Sequence, residues 1–204
     1  MKLYYDGGRA PNPRRVKIFL AEKGLTVPAE TIDLGKMEQK SAAFTAINPV
    51  QRVPALVLDD GTIIAESIAI CRYFEALHPE PNLFGKPGLE AALVEMWNRR
   101  VELHLYAAVQ SVFRHLHPAM KALEVPQVAE WGDANKPRVT DFLALLDQQL
   151  GQHPFVAGER YSIADITALV TIDLMKPAKL VVDEGFSNVR RWHDTINQRP
   201  STKA

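Results

Sequence analysis

The period of the apolar residues changes once along this chain, and that change limits what the chain can fold into. Through residue 78, short strand-like runs alternate with helical stripes; from residue 89 onward only helical spacing is found. The stretch between carries Pro79, Pro81, Gly85 and Gly88, residue types that interrupt both kinds of regular structure. The expectation is an α/β domain over 1–78, a linker over 79–88 and an all-helical domain over 89–204. A chain of 204 residues is long enough to bury a core in each part.

In the first part, Lys2–Tyr5 reads as a short strand stopped by Gly7 and Gly8. Asn12-Pro13 then opens a helix, because Asn is a good N-cap and Pro at the first helical position lacks only an N–H that would have no partner. Val16, Phe19 and Leu20 keep the i, i+3, i+4 spacing, and Gly24 ends the run. Ala29–Leu34 is a second strand, and Ser41–Ala46 has room for one helical turn. Val53–Leu58 and Thr62–Ala65 flank Asp59-Asp60-Gly61, a hairpin signal. Glu66–Leu77 is a helix with Ile70, Tyr73, Phe74 and Leu77 on one side. A βαβ unit followed by a hairpin and a helix resembles a thioredoxin-like domain.

The second part reads as an all-α helical bundle. Leu89–Arg114 carries Leu93, Met96, Trp97, Val101, His104 and Ala108 at helical spacing. A further stripe of Val139, Phe142, Leu143, Leu146 and Leu150 ends at Gly151. Ser162 starts another helix, and Val189, Trp192 and Ile196 mark a last one before Pro200. Ser162-x-x-Asp165 has the form of a capping box, with Tyr161 and Ile166 as its hydrophobic staple, so Asp165 is assigned to folding rather than chemistry.

Composition removes several function classes. Lys and Arg number 24 against 24 Asp and Glu, so no net charge draws the chain to nucleic acid or anionic lipid. No apolar run approaches the roughly 18 residues of a membrane span, and the start MKLYYDGG lacks a signal-peptide core, so a cytoplasmic location is expected. The single Cys71 cannot form an internal disulfide, no cysteine cluster suggests zinc, and His115-x-His117 lacks further ligands, so no metal is expected.

Two short stretches carry chemistry. In Asn48-Pro49-Val50-Gln51-Arg52-Val53-Pro54-Ala55-Leu56, a Pro near the start of an apolar strand belongs on an edge or at a cis turn. Val53 before it then has backbone groups free to pair with a peptide-like ligand, although a plain edge-strand Pro explains the same residues. Glu66-Ser67 stands at a helix start, whose unpaired N–H groups and partial positive charge suit a carboxylate. Ser67 adds a hydroxyl and Glu66 can hold an ammonium; simple capping is the competing explanation.

Asn-Pro-x-x-Arg-Val-Pro-Ala-Leu, the Asp-Gly hairpin, Glu-Ser-x-Ala-Ile-x-x-Tyr-Phe, the later Pro-Asn-Leu-Phe-Gly and Ser162-Ile163-Ala164-Asp165 together resemble the cytosolic glutathione transferases, with theta- and Nu-like features. The resemblance implies a thioredoxin-like domain followed by a helical one, glutathione as co-substrate, a role in detoxification and a homodimer. It implies that Pro54 is cis and that Val53 pairs with the cysteinyl part of glutathione. Glu66 and Ser67 would hold the γ-glutamyl end. Gln39, Lys40 and Arg52 fall where such proteins surround the glycine carboxylate, or else form a solvated charged loop.

Catalysis in this family rests on a donor that favours the glutathione thiolate over the thiol. Here the sequence departs from the family. Members relying on Ser place it two residues before the helix-opening Pro, and that position is Pro11; no Ser, Thr or Cys occurs before Thr26. Ala10-Pro11-Asn12 is similar to the Thr-Pro-Asn run of Nu-class proteins, which implies Asn12 as the thiol-activating residue, with a pure N-cap role as the alternative. Tyr4, eleven residues before Arg15, has the spacing of Tyr-type members and is the second candidate. Tyr4 and Tyr5 face opposite ways in a strand, so only one can serve. The electrophile pocket is expected between the domains, lined by Arg100, His104 and Tyr106, with His104 equally readable as a core histidine. The expected activity is attack of glutathione thiolate on small, mostly hydrophobic electrophiles. Glutathione-dependent disulfide or peroxide reduction, and a non-catalytic binding protein on the same fold, are the rivals.

Overall fold

The computed structural model describes residues 1–204, which separate into two units: 1–82 together with 200–204, and 83–199. The division at 82/83 falls inside the expected linker, where Lys23, its side chain wholly buried, donates to the carbonyls of His78 at 2.8 Å and Pro81 at 2.6 Å and pairs with Glu75 at 2.6 Å. The last residues leave the helical part because the short turn Pro200–Lys203 lies against the first helix, where Ser201 Oγ donates to Glu22.

In the first unit, β1 (Lys2–Tyr5), β2 (Ala29–Thr31), β3 (Ala55–Val57) and β4 (Ile63–Ala65) form one sheet in the order β2-β1-β3-β4. β2 runs parallel to β1, and β3 is antiparallel to both β1 and β4. β2 ends at Thr31, three residues short of the expected strand, because Ile32 makes the last bond to Tyr5 and Asp33 turns the chain. The strands alternate strictly. Leu3 and Leu56, paired across β1 and β3, are buried, while Tyr4 and Ala55 face the other way with Ile32 and Phe44.

The first helix, α1 (Pro11–Glu22), begins one residue before the expected cap. Ala10, not Asn12, is the N-cap, and Pro11 takes the first helical position, which its fixed φ and missing N–H suit. Asp6 prepares the entry, its carboxylate accepting from Gly8 N at 3.1 Å and Ala10 N at 2.7 Å. α2 (Ala42–Ile47) is capped by Ser41, whose Oγ accepts from Phe44 N at 3.1 Å. α3 (Ser67–Leu77) packs beside α1 and buries Ile70, Cys71 and Phe74.

In the second unit, α4 (Leu89–Arg100), a π-helical turn (Val101–Tyr106) and α5 (Ala107–Leu116) follow without a break, where the sequence suggested one regular helix. α6 (Ala129–Gln152) starts well before the expected stripe at Val139, carries Pro137 inside and passes through Gly151, which therefore does not stop it. Gly132 explains the close approach of α6 to α5: a Cβ there would lie 2.7 Å from Leu116 Cγ. α7 (Ile163–Met175) is buried over nearly its whole surface, as a helix apolar all round must be, and α8 (Ser187–Asn197) closes the unit through Val189, Trp192 and Ile196.

Asp165 joins three segments of that core. Its carboxylate accepts from Ser162 N at 2.9 Å, Val156 N at 2.9 Å and Trp192 Nε1 at 3.0 Å, so the capping box also ties α8 and the preceding loop to α7. Burial pushes this carboxyl up to about 6, against the bonds from Val156, Trp192 and Ser162 that pull it down. Asp165→Ala leaves three N–H groups unpaired in the interior and is expected to lower the unfolding free energy by about 3 kcal/mol or more in urea titrations. A loss below about 1 kcal/mol would contradict this joining role.

Candidate functional site

Strand register decides what can meet in the first unit. Tyr4 of β1 pairs with Ala55 of β3, and Ala55 pairs with Ala65 of β4. The carboxyl end of β1, the amino end of β3 and the carboxyl end of β4 therefore share one end of the sheet. The loop into α1 with Asn12, the Val53-Pro54 segment and Glu66-Ser67 all leave the sheet at that end. The loop after β2, which carries Gln39 and Lys40, does too, since Thr31 pairs with Tyr5.

The Val53-Pro54 peptide is cis. β3 starts only at Ala55, so Val53 stands ahead of the ladder and is half-buried. Asn48 holds the approach to it: buried, it donates from Nδ2 to Arg52 O at 2.7 Å and accepts from Val50 N at 3.1 Å. Gln51 adopts a positive φ of 57° there and donates from its side chain to Thr45 Oγ1 at 3.1 Å. Arg52 is exposed, touching only the Gln51 carbonyl at 3.4 Å.

Glu66 has φ 69° and ψ 118°, a backbone conformation that non-glycine residues rarely adopt and that is often kept where function requires it. As N-cap of α3 it makes no side-chain cap bond, and its carboxylate is exposed. Simple capping therefore does not account for this residue. Ser67 is the first helical residue, buried, and its Oγ accepts from Arg15 Nη1 at 2.7 Å. With an oxygen lone pair engaged by the guanidinium, the hydroxyl proton is directed elsewhere. Arg15 is only 1% exposed, so a full positive charge lies beneath the N-terminus of α3. Sequence reasoning used Arg15 only as a spacing mark. The available signal was its position three and four residues before Ile18 and Phe19, on the buried face of α1.

Around Asn12 the donors are few and well defined. Pro11 and Pro13 carry no N–H, so the first turn of α1 offers the Asn12 backbone N–H and side-chain amide. The Asn12 side chain caps nothing, and its Oδ1 is buried without a hydrogen-bond partner. Tyr4 packs edge-on against Phe44, ring centroids 6.3 Å apart, and belongs to the apolar cluster of Ile32, Phe44 and Ala55. Tyr5 faces the other way, under Lys17.

Gln39 is not part of a solvated loop: it is buried on the short 3-10 turn Glu38–Lys40, with Oε1 unpartnered, while Lys40 beside it is exposed. The three expected electrophile-pocket residues do not share a wall in the second unit. Arg100 and His104 line a cavity between α4–α5 and α6, whereas Tyr106 is absent from that wall, buried, and accepts from Gln110 Nε2 at 3.1 Å. His104 is exposed and stacks on Phe142, so it is not a core histidine.

Cys71 is buried inside α3, and burial pushes its thiol well above the ordinary range, with the Arg15 charge offsetting only part of the shift. Cys71 is the single cysteine of the chain, and its burial keeps its sulfur from contact with a substrate.

Comparison with known proteins agrees with this architecture. The sequence family described as Glutathione S-transferase, N-terminal domain, matches residues 10–77, and Glutathione S-transferase, C-terminal domain, matches residues 102–200. The chain is 39% identical to Glutathione S-transferase 2 of Saccharomyces cerevisiae, over 98% of this chain and 88% of that protein. It is 33% identical to the maleylacetoacetate isomerase of Pseudomonas aeruginosa, over 98% of this chain and 93% of that one. The crystal structure of Gtt2 from Saccharomyces cerevisiae superposes with a TM-score of 0.94 at 38% identity, covering 100% of this chain and 99% of that one.

The thiol assignment has its own test. Native protein should react with a thiol-specific disulfide reagent at pH 8 at least about a hundredfold more slowly than protein unfolded in urea. Comparable rates would contradict the burial of Cys71.

Proposed function

The chain belongs to the glutathione S-transferase family, and on that premise we propose that it binds reduced glutathione at the end of the β2-β1-β3-β4 sheet and activates its thiol for attack on small electrophiles. The observation that carries this reading is the set of unspent groups at that one end. Val53 lies ahead of the ladder, the N-terminus of α3 is uncapped above a buried arginine, and the Asn12 side chain caps nothing, its Oδ1 buried and unpartnered.

Each group has a matching part of the tripeptide. The Val53 backbone pairs with the cysteinyl amide and fixes the sulfur's position. The γ-glutamyl carboxylate accepts from Ser67 Oγ and the first N–H groups of α3, and Arg15, as a positioning residue, turns the Ser67 hydroxyl toward it and adds positive charge. The Glu66 carboxylate takes the ammonium. Gln39, Lys40 and Arg52 surround the glycine carboxylate, with the two exposed cations adding charge attraction. The thiolate accepts from Asn12, the residue of the first turn of α1 that keeps both a backbone N–H and an amide. A hydrogen bond to a charged group contributes about 1.5–3 kcal/mol, which lowers a thiol pKa by roughly one to two units. Tyr4, packed on Phe44, is the alternative donor. The electrophile is carried by the helical unit, where Arg100 and His104 line the cavity between α4–α5 and α6; Tyr106, buried and bonded to Gln110, stands off that wall. In conjugation the thiolate sulfur forms a bond to the electrophilic carbon, and the electron pair of the broken bond leaves with the leaving group or passes to the adjoining atom, which is then protonated.

The decisive measurement is the ultraviolet thiolate absorbance of bound glutathione against pH. The bound thiol should titrate at least one unit below the ordinary thiol value of about 8.5, and Asn12→Ala should abolish that shift and reduce kcat at least about tenfold, with KM for glutathione nearly unchanged. Ser67→Ala should do the reverse, raising KM several-fold. If Asn12→Ala leaves both shift and kcat intact while Tyr4→Phe removes them, the donor is Tyr4; an unshifted thiol leaves a binding protein.

The same activated thiolate serves disulfide or peroxide reduction, and the product separates the readings: a thioether for conjugation, glutathione disulfide for reduction. We also propose a homodimer, supported by the exposed Leu89 and Leu93 at the start of α4, which are 76% and 37% accessible. Sedimentation should give twice the 22.8 kDa chain mass at micromolar concentration, and a monomer there would end the proposal.

A further inference from the structure

The helical unit carries a groove of about 480 Å³ between α7, the segment 181–184 and α8. It shares no residue with the candidate glutathione site or with the cavity between α4–α5 and α6. Ile172 of α7, Val189 of α8 and Val181 give its wall an apolar part, and Val181 is 82% exposed. An aliphatic side chain that open gains by being covered.

The backbone beside Val181 is unspent. Leu180 N donates to Met175 O at 2.9 Å and Phe186 N to Asp183 O at 3.0 Å, so hydrogen bonds fix the segment on both sides. Between them Val181 and Val182 belong to no helix, strand or turn, and neither their N–H nor their C=O groups bond within the chain. An open stretch of backbone anchored on both sides can take on an added strand, which supplies the missing partners through its own main chain.

The charges on the wall select the partner's sign. Asp183, Glu184 and Asp194 stand against one guanidinium, that of Arg190, whose Nη1 lies 3.8 Å from Glu184. The other basic group, His193, is engaged by Asp173 of α7 at 2.8 Å. Asp183 accepts from Gly185 N at 2.8 Å, and neither it nor Asp194 has a cationic partner. Lys179, two residues ahead of Val181, is not on the wall.

We propose that this groove binds an extended basic segment of a partner protein, in which lysines or arginines alternate with aliphatic residues. Its main chain pairs with Val181 and Val182. Side chains of an extended chain alternate, so one set lies on the apolar wall while the other reaches the carboxylates beside it. An acidic segment is repelled by those carboxylates, and a polyamine brings the charge without a main chain to pair. The groove lies wholly on the helical unit and requires no glutathione.

The test is fluorescence anisotropy of a fluorescein-labelled peptide, Lys-Val-Lys-Val-Lys, titrated with the full chain at low ionic strength. Its controls are the same peptide with Glu for Lys, the same peptide N-methylated at its valines, and spermine as competitor. The basic peptide should bind at least about tenfold more tightly than the acidic one, and N-methylation should weaken it at least about fivefold. Asp183→Asn/Asp194→Asn, which keeps an acceptor for Gly185 N, should lose most of the preference for the basic peptide, with its fold checked by circular dichroism. Equal affinity for the basic and acidic peptides, indifference to N-methylation, spermine competing as strongly as unlabelled peptide, or an unchanged preference in the double variant overturns the proposal. Release of the peptide as chain concentration rises through a monomer–dimer transition also overturns it, because a second copy then occupies the groove. If the double variant does not fold, the peptide comparisons on the unaltered chain still decide.

Discussion

The antiparallel pairing of β3 with both β1 and β4 governs the first unit. Because Tyr4, Ala55 and Ala65 are aligned across three strands, the segments that follow β1, precede β3 and follow β4 emerge at the same end. A slip of one residue would turn each side chain to the other face of the sheet. It would move Ala55 away from Phe44 and Leu56 out of the core. The same burial that fixes register therefore fixes which loops meet. The candidate glutathione site follows from packing energy, even though its own residues are polar.

Arg15 and Ser67 connect that packing to chemistry. A buried guanidinium is costly without hydrogen-bond acceptors, and Ser67 Oγ provides one at 2.7 Å while standing at the start of α3. The arrangement couples α1 to α3 in the core and orients a hydroxyl at a helix N-terminus. The strained backbone of Glu66 belongs to the same point in the chain, where β4 ends and α3 begins with no intervening loop. In the helical unit Asp165 has the corresponding structural part: one carboxylate serves three N–H groups from separate segments and thereby fixes α7 and α8 around it.

Much of this was legible in the sequence, and the failures are informative. The succession of strands and helices, the hairpin at Asp59-Asp60-Gly61 and the Ser162-x-x-Asp165 box were readable because each depends on neighbours in sequence. The start of α1 was misread by weighing Asn12 as a cap without weighing Asp6, which satisfies the entry loop from outside the helix. α6 was read too short because its first turns bury little apart from Gly132 and Asn135, which gives no apolar stripe, and because Pro137 suggests a break. Arg100 and His104, four residues apart, share one helix face, whereas Tyr106, two residues beyond His104, points to the opposite side and falls off the wall the other two share.

The sequence by itself determined the elements, the split between a mixed sheet and a helical bundle, and the residue types able to hold a peptide with a carboxylate and an ammonium. These are set by local periods, turn chemistry and capping, whose range is a few residues. Tertiary structure alone decided that Arg15 lies under Ser67, that the side chain of Asn12 caps nothing, that Gln39 is buried and that Arg100 and His104 line a cavity against α6. Those facts depend on side chains brought together from segments far apart in the chain, and such proximity is fixed by core packing that no local pattern records.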